Sequence, residues 1–401
     1  MESILRQFNP WWSGNYASPG ITRDSYLERM LKLLSQEKIV ILFGLRRVGK
    51  TVLMRQCIAK MLENRKPESI LFASIDNPQL EKTPLHELLS EFRSLHGLRT
   101  TDDVVLFLDE VQVRPGFEVE LKGIYDLEDH VRIVASGSSS LVVKHRGAHL
   151  TGRYRSIHIK PLDFGEYLRF MGVKLEGFEP DLLVNQADNY LHTGGMPEYV
   201  LNGDPSYISE MVTNMIFRDI CGAYGLRDPK LLRELFFLLM GRVGKKISYS
   251  KLSRLLDVTD DTVKRYIGYF EDAFLVHLIE QVGTPNERKY GPKKVYSPDN
   301  GICAVISGLS ETGPLAENLV YLKLMDGGEV RYHDRDGKEV DFVRGREAYE
   351  VKYRAKIDDE DMEVLEKMRG VDRRVMITRS MSTPSGKVSK VPLWKFLLEA
   401  R

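Results

Sequence analysis

KIVILFG (38–44) runs directly into GLRRVGKT (44–51), and that junction limits the possible folds more than any other stretch of the chain. A short, nearly continuous apolar run marks a strand buried on both faces. The pattern G-x-x-x-x-G-K-[ST] then matches at every required position, and residues 51–63 read as an amphipathic helix. Strand, glycine loop and helix in that order make a phosphate cradle. Gly44 and Gly49 let the backbone turn tightly, so that amides across Gly44, Leu45, Arg46, Arg47, Val48, Gly49, Lys50, Thr51 and Val52 face bound phosphates. Lys50 places positive charge on the β and γ phosphates, and the Thr51 hydroxyl is suited to ligate Mg²⁺.

The same alternation continues downstream. SILFASI (69–75), VVLFLDE (104–110), VRIVASG (131–137) and SIHIKPL (156–162) read as further strands, with helices expected over 26–35, 84–95 and 164–170. Alternating strands and helices predict an α/β fold with a parallel sheet covered on both faces. Asp109 and Glu110 stand at the C-terminal end of the third strand. There Asp109 is expected to hold the Mg²⁺ shell and Glu110 to orient or deprotonate an attacking water. At the tip of the fourth strand, Ser138 and Ser139 are candidate γ-phosphate sensors, or else part of a plain serine-rich turn. Arg153 and Arg155 precede the fifth strand. Each is either a finger reaching a neighbouring subunit's γ-phosphate or a solvated or DNA-facing charge. Residues 1–25 read as irregular, with Trp11 and Trp12 anchoring a strap on the next domain.

The chain's 401 residues allow two or three domains. Its net charge of +1 means that nucleic-acid contact would have to come from local patches. Such a patch is expected in 245–282, which reads as a helix-turn-helix followed by a wing. Its first helix spans 250–256, and Thr259 caps the second, with Asp260 and Asp261 in the first turn. Residues 287–296 read as a basic loop. Lys264, Arg265, Arg288, Lys289, Lys293 and Lys294 are the candidate DNA-phosphate contacts; taken singly, such a residue is more often an ordinary solvated charge. Cys57, Cys221 and Cys303 are too few and too scattered for a disulfide framework or a zinc site, so reduced thiols in a cytoplasmic protein are expected. No signal peptide is visible and no apolar run reaches ~18 residues, so no membrane span is expected.

The last hundred residues carry a second constellation. A helix over 314–325 precedes strands near 330–333, 339–343 and 348–353, then a helix over 358–368, a strand over 373–379 and a terminal helix. Period two puts Glu350 and Lys352 on one strand face, and a hairpin brings Asp341 beside Glu350. Helix, strand, Asp strand and E-x-K strand resemble the PD-(D/E)xK nucleases. That resemblance implies a divalent cation on Asp341 and Glu350, with Glu317 completing the shell. Lys352 would position water or stabilise the pentavalent phosphate, and Mn²⁺ is possible in place of Mg²⁺. The alternative is a charged, solvated hairpin face.

The set GLRRVGKT, LFLDE, SGSSS, LTGRYRSIHIKPLDFGEYL and GGMPEY resembles the archaeal-type predicted ATPases of the AAA+ superfamily, P-loop ATPases related to STAND NTPases. FRDI (217–220), VYSPDNGI (295–302), ENLV and VDFV…YEVK extend the resemblance over nearly the whole chain. It implies an ASCE-type core, a helical and winged-helix middle and a C-terminal α/β restriction-endonuclease-like domain. One departure is that no second-sensor arginine is placed after the core. The expected domains are a strap over 1–25, the ATPase core over 26–205, a helical linker and winged helix over 206–296, and the nuclease-like domain over 297–401. The expected function is Mg²⁺-dependent ATP binding and hydrolysis by a homo-oligomer on branched or double-stranded DNA. It would be coupled to a metal-dependent nuclease-like domain, in recombination, repair or defence. The alternative is a STAND-type signalling or regulatory NTPase whose C-terminal domain is catalytically dead and binds protein or DNA.

Overall fold

The computed structural model describes residues 1–14, 16–36, 38–137, 152–174, 179–335, 337–354, 356–383 and 386–399. The chain divides into two compact units, Met1–Lys160 and Pro161–Arg401.

The first unit is an α/β layer structure. Helices α1 (Glu2–Phe8), α2 (Asp24–Gln36), α3 (Lys50–Met61), α4 (Leu85–His96) and α5 (Phe117–Leu127) surround strands β1 (Ile39–Phe43), β2 (Ile70–Ser74), β3 (Val104–Asp109), β4 (Val131–Gly137) and β5 (Tyr154–His158). The strands form one parallel sheet in the order β2-β3-β4-β1-β5. Every residue of β3 is buried, as are four of the five in β1 and in β2, which is why these strands read as unbroken apolar runs. Strand β4 lies between the strand that feeds the glycine loop and the strand that ends in Asp109. The tips of β1, β4 and β3 are therefore neighbours. The fifth strand begins two residues earlier than its apolar pattern suggests, because Tyr154 already pairs with Ile39.

Residues 1–25 are not irregular throughout: 2–8 and 10–13 are helical, while no helix or strand covers 16–23. Leu5 is buried on α1, and a 3-10 turn follows over Pro10–Ser13. Asn9 treats the edge strand β2 as a strand partner would. Its Nδ2 donates to Phe72 O at 2.8 Å and its Oδ1 accepts from Phe72 N at 2.6 Å. Trp11 and Trp12 both donate from Nε1 to Ile70 O, at 3.2 and 3.0 Å. The N-terminal segment thus satisfies backbone groups that a bare sheet edge would offer to another chain.

The second unit opens with helices α6 (Phe164–Phe170), α7 (Pro180–Thr193), α8 (Pro197–Asn202), α9 (Pro205–Asn214), α10 (Cys221–Tyr224) and α11 (Pro229–Met240), with a π-helical turn over Met215–Ile220. Strand β6 (Lys246–Ile247) leads into α12 (Tyr249–Leu256) and α13 (Asp260–Asp272). Ser248 and Thr259 cap these two helices, and Asp257 makes the turn between them at φ 52°. Strands β7 (His277–Ile279) and β8 (Lys293–Tyr296) complete an antiparallel sheet in the order β6-β8-β7. Residues 287–296 are not a loop: helix α14 (Pro285–Tyr290), held by a Thr284–Glu287 capping box, and β8 occupy most of them.

Helices α15 (Asn300–Ser307) and α16 (Thr312–Leu324) precede a mixed sheet of β9 (Arg331–Arg335), β10 (Lys338–Arg344), β11 (Glu347–Lys352), β12 (Arg373–Thr378) and β13 (Ser389–Pro392), in the order β13-β12-β11-β10-β9. Helices α17 (Asp359–Lys367) and α18 (Leu393–Leu398) flank it. The GGMPEY and SPDNG segments meet through a backbone amide and a carboxylate. Gly195 N donates to Asp299 Oδ2 at 2.5 Å, and a Cβ on Gly195 would lie 2.1 Å from Leu162 O. Only glycine fits there, so these signatures have a packing reason.

Candidate functional site

At the phosphate loop, Gly44 takes φ 147°, and a Cβ there would sit 2.1 Å from Ile159 O. Gly49 is left-handed at φ 93° and begins α3. Lys50 is buried, and its Nζ donates to Gly44 O at 3.1 Å and Leu45 O at 2.8 Å, inside the curve of the loop. Leu45 and Val48 are buried, Arg46 is half-buried, and Arg47 and Val52 are exposed. Arg23 clamps the loop from outside, donating from Nη1 to Val48 O at 3.1 Å and Lys160 O at 2.9 Å. Sequence reading missed Arg23, because nothing local marks an arginine 25 residues before Val48 as its partner.

Side chains join the tips of β3 and β4 to the first turn of α3. Thr51 Oγ1 donates to Asp109 Oδ2 at 2.6 Å. Ser136 Oγ donates to Asp109 Oδ1 and accepts from Glu110 N at 3.2 Å. The hydroxyl at the tip of β4 that reaches this site is therefore Ser136; Ser138 and Ser139 lie outside the described residues. Glu110 takes a left-handed backbone, φ 54°, and Gln112 Nε2 donates to its carboxylate. Burial holds the Glu110 carboxyl above its ordinary value, against the opposing pull of Lys50. A hydroxyl and a carboxylate this close supply hard oxygen donors of the kind Mg²⁺ takes alongside phosphate oxygens, so the residues fit that ion. His158, at the end of β5, stacks on Phe43 with centroids 4.8 Å apart. Burial first, then Lys160 and Lys50, lowers it to about 4, which leaves it neutral near pH 7.

Arg153 lies at the opposite end of β5 from the loop, about 17 Å away along the strand. Its Nε donates to Asp126 Oδ1 of its own chain at 3.2 Å, and Arg155 is exposed.

The C-terminal constellation is arranged differently from its expectation. Strict alternation on β10 is broken by a register shift between Val340 and Val343, which turns Asp341 inward. Asp341 and Glu350 then grip each other's strands. Asp341 Oδ2 accepts from Val351 N at 2.9 Å, and Glu350 Oε2 accepts from Asp341 N at 3.2 Å. Lys352 Nζ lies 2.5 Å from Glu350 Oε1. Glu317 on α16 does not face an open cation position. Its Oε1 accepts from Tyr296 OH at 2.6 Å and from Lys294 Nζ at 2.9 Å. The Lys294 amine also lies 3.3 Å from Asp341 Oδ1 and 2.7 Å from Glu339 Oε1, and its side chain is 2% exposed. Burial raises Glu317 and Glu350, and the Asp341 charge adds to both; the lysine ammoniums pull the other way. Lys294 is held well above its ordinary value, because its carboxylates outweigh its burial.

Two expectations change here. Lys294 is no DNA contact, since its amine is enclosed by three carboxylates. The divalent ion expected on Glu317, Asp341 and Glu350 does not fit this arrangement, since the amine takes the Glu317 and Asp341 oxygens and Lys352 takes Glu350. Among the described residues no group of three or more His, Cys, Asp or Glu is arranged to hold a metal. The signal that could have placed Lys294 was period two: it shares a strand face with Tyr296, which is fully buried.

The other basic candidates divide. Arg288 and Lys293 bind Glu280, at 3.0 and 2.9 Å, and Arg288 also reaches Glu329. Lys264, Arg265 and Lys289 are exposed. Lys264 lies over the Tyr249 ring and 3.5 Å from Asp261. The three cysteines are free and buried, and among the described residues no helix is long and apolar enough to cross a membrane.

Residues 36–168 match the family model of an AAA domain, and residues 184–313 match a domain of unknown function. An uncharacterized protein of Methanocaldococcus jannaschii is 26% identical over 328 residues, covering 77% of this chain and 73% of its own. One of Haemophilus influenzae is 24% identical over 347 residues, covering 83% of this chain and 86% of its own. Similar solved structures include a Walker-type ATPase of Pyrococcus abyssi, 14% identical, with a TM-score of 0.44 over 71% of this chain and 95% of that one. The Orc1 protein of Aeropyrum pernix, solved in complex with DNA, is also 14% identical, with a TM-score of 0.35 over 78% of this chain and 95% of that one. The family-model match and the loop geometry, rather than these distant likenesses, make the segment 36–168 a P-loop ATPase domain of the AAA+ type.

Proposed function

We propose that the chain is a Mg²⁺-dependent ATP hydrolase whose second unit presents a winged-helix surface to duplex or branched DNA. The observation that carries the hydrolase reading is the chain of contacts Thr51–Asp109–Ser136–Glu110, which joins the first turn of α3 to the tips of β3 and β4. In this reading Thr51 and Asp109 hold Mg²⁺, which when bound neutralises phosphate charge as the leaving group departs. Lys50 swings from the loop carbonyls onto the β and γ phosphates. The loop amides orient the nucleotide, and Ser136 keeps Asp109 and the Glu110 backbone in register. Glu110, half-buried at the end of β3, aligns water and accepts its proton. In a homo-oligomer, Arg153 or Arg155 would serve a neighbouring subunit, since neither lies near its own phosphate loop.

The DNA reading is supported by two capped helices joined by a tight turn, a following antiparallel sheet, and the exposed charges of Lys264, Arg265 and Lys289. It is tested by measuring ATP turnover with and without duplex and branched DNA, and DNA affinity across salt. Lys264→Ala/Arg265→Ala should weaken binding and flatten the salt dependence by roughly two in slope, near 0.9 per lost phosphate contact. A second reading, a regulatory NTPase of the STAND type, is favoured by the lysine seated among the C-terminal acids. Turnover indifferent to DNA, with no DNA bound at low salt, would support it and remove the winged-helix reading.

A further inference from the structure

The acidic cluster on α16 and β10 looks like a cation site with its cation built in. Glu317 Oε1, Glu339 Oε1 and Asp341 Oδ1 converge on one point, at 2.9, 2.7 and 3.3 Å from Lys294 Nζ. They come from a helix and a bulged strand, whereas the amine comes from β8 of the other sheet in the same unit. Its neighbour on β6 repeats the pattern. Lys246, paired with Lys294 in register, places its Nζ 2.5 Å from Asp334 Oδ2 and 2.6 Å from Glu339 Oε2. The two sheets also exchange backbone hydrogen bonds, Val282 N to Tyr332 O at 2.8 Å and Tyr332 N to Glu280 O at 3.1 Å. The lysine is thus fixed by its strand, and its side chain is 2% exposed, sealed from solvent.

We propose that the Lys294 amine stands where a divalent cation would otherwise bind, so that this unit excludes metal from its own acidic cluster and uses the charge to join the β6-β8-β7 sheet to the C-terminal sheet. A single ammonium meets three acceptors, which matches its three N–H donors. Removing it without removing volume leaves three carboxylate oxygens aimed at one point. Those oxygens would close by roughly 1 Å onto a cation of Mg²⁺ size, for which carboxylates are the preferred ligands. The lysine therefore acts as a lock on a latent metal site.

The test is a Mn²⁺ titration of the nucleotide-free full-length chain, followed by electron paramagnetic resonance of the free ion. Wild type should show no site that Asp341→Asn removes. Lys294→Met, shown folded by circular dichroism, should gain one Mn²⁺ per chain, and Lys294→Met/Asp341→Asn should lose it again. Wild-type Mn²⁺ binding that disappears in Asp341→Asn would overturn the proposal. So would a folded Lys294→Met that gains no ion. Should Lys294→Met fail to fold, reductive methylation of the native wild type decides. Lys294 should resist modification while exposed lysines such as Lys264 react, and methylation of Lys294 at the pace of Lys264 would overturn the proposal.

Discussion

Glu110 carries the chemical reading at the residue scale. Its backbone is left-handed, a conformation that costs of order 1–3 kcal/mol in a non-glycine residue and persists only when neighbours hold it. Ser136 holds the amide and Gln112 the carboxylate. Burial raises the carboxyl above its ordinary value. A base must be ionised to accept a proton, so activity is present above the raised value and is lost as pH falls through it. The acidic limb of the ATPase pH profile should therefore lie above the ordinary glutamate range near ~4.3. A limb within that ordinary range would contradict the environment described for Glu110.

How much could be read in advance also differs residue by residue. The placement of Lys50, Thr51, Asp109 and Glu110 was legible because it follows from a local pattern: the loop, and the end of a buried strand. Ser136 was not, since the choice among the serines of SGSSS depends on where β4 stops beside β3, which pairing alone fixes. Lys294 was misread because KK in a basic segment resembles a phosphate-binding surface. Its partners Glu317, Glu339 and Asp341 are 23 to 47 residues away and approach only through the tertiary fold.

At the scale of elements, buried strands and long helices declared themselves by periodicity, and short elements did not. Helix α1 has seven residues and no side-chain cap. Strand β13 is a four-residue edge strand ending in Pro392, with three of its four residues half-buried, so neither alternation nor an apolar run marks it. Helix α14 hides in a basic segment and is announced only by Thr-Pro and the Glu287 of its capping box. The N-terminal segment gives the element-scale prediction. Asn9→Leu leaves Phe72 N and Phe72 O without partners inside the edge of the sheet. At ~1–3 kcal/mol per unsatisfied buried group, the loss should be about 2–6 kcal/mol. Urea unfolding followed by tryptophan fluorescence measures it. A midpoint unchanged from wild type would mean that Asn9 does not complete the sheet.

At the scale of the whole molecule, a P-loop ATPase unit is followed along the chain by a second unit that carries two capped helices and a sheet whose acids are neutralised by lysine. The order of strands and helices in the first unit was readable because each element has its own periodicity. The absence of a seam between the helix-turn-helix segment and the C-terminal sheet was not, because it depends on Lys294, Lys246 and the Tyr332 backbone meeting across segments. One compact unit spans Pro161–Arg401. ATP binding and turnover by this chain in Mg²⁺, measured beside Lys50→Ala and Glu110→Gln, decide whether the phosphate loop and Glu110 work as a hydrolase. The account predicts turnover by wild type, no nucleotide bound by Lys50→Ala, and retained ATP with turnover reduced by ~10²-fold or more in Glu110→Gln. Unchanged turnover in Glu110→Gln, or tight nucleotide binding by Lys50→Ala, would contradict it.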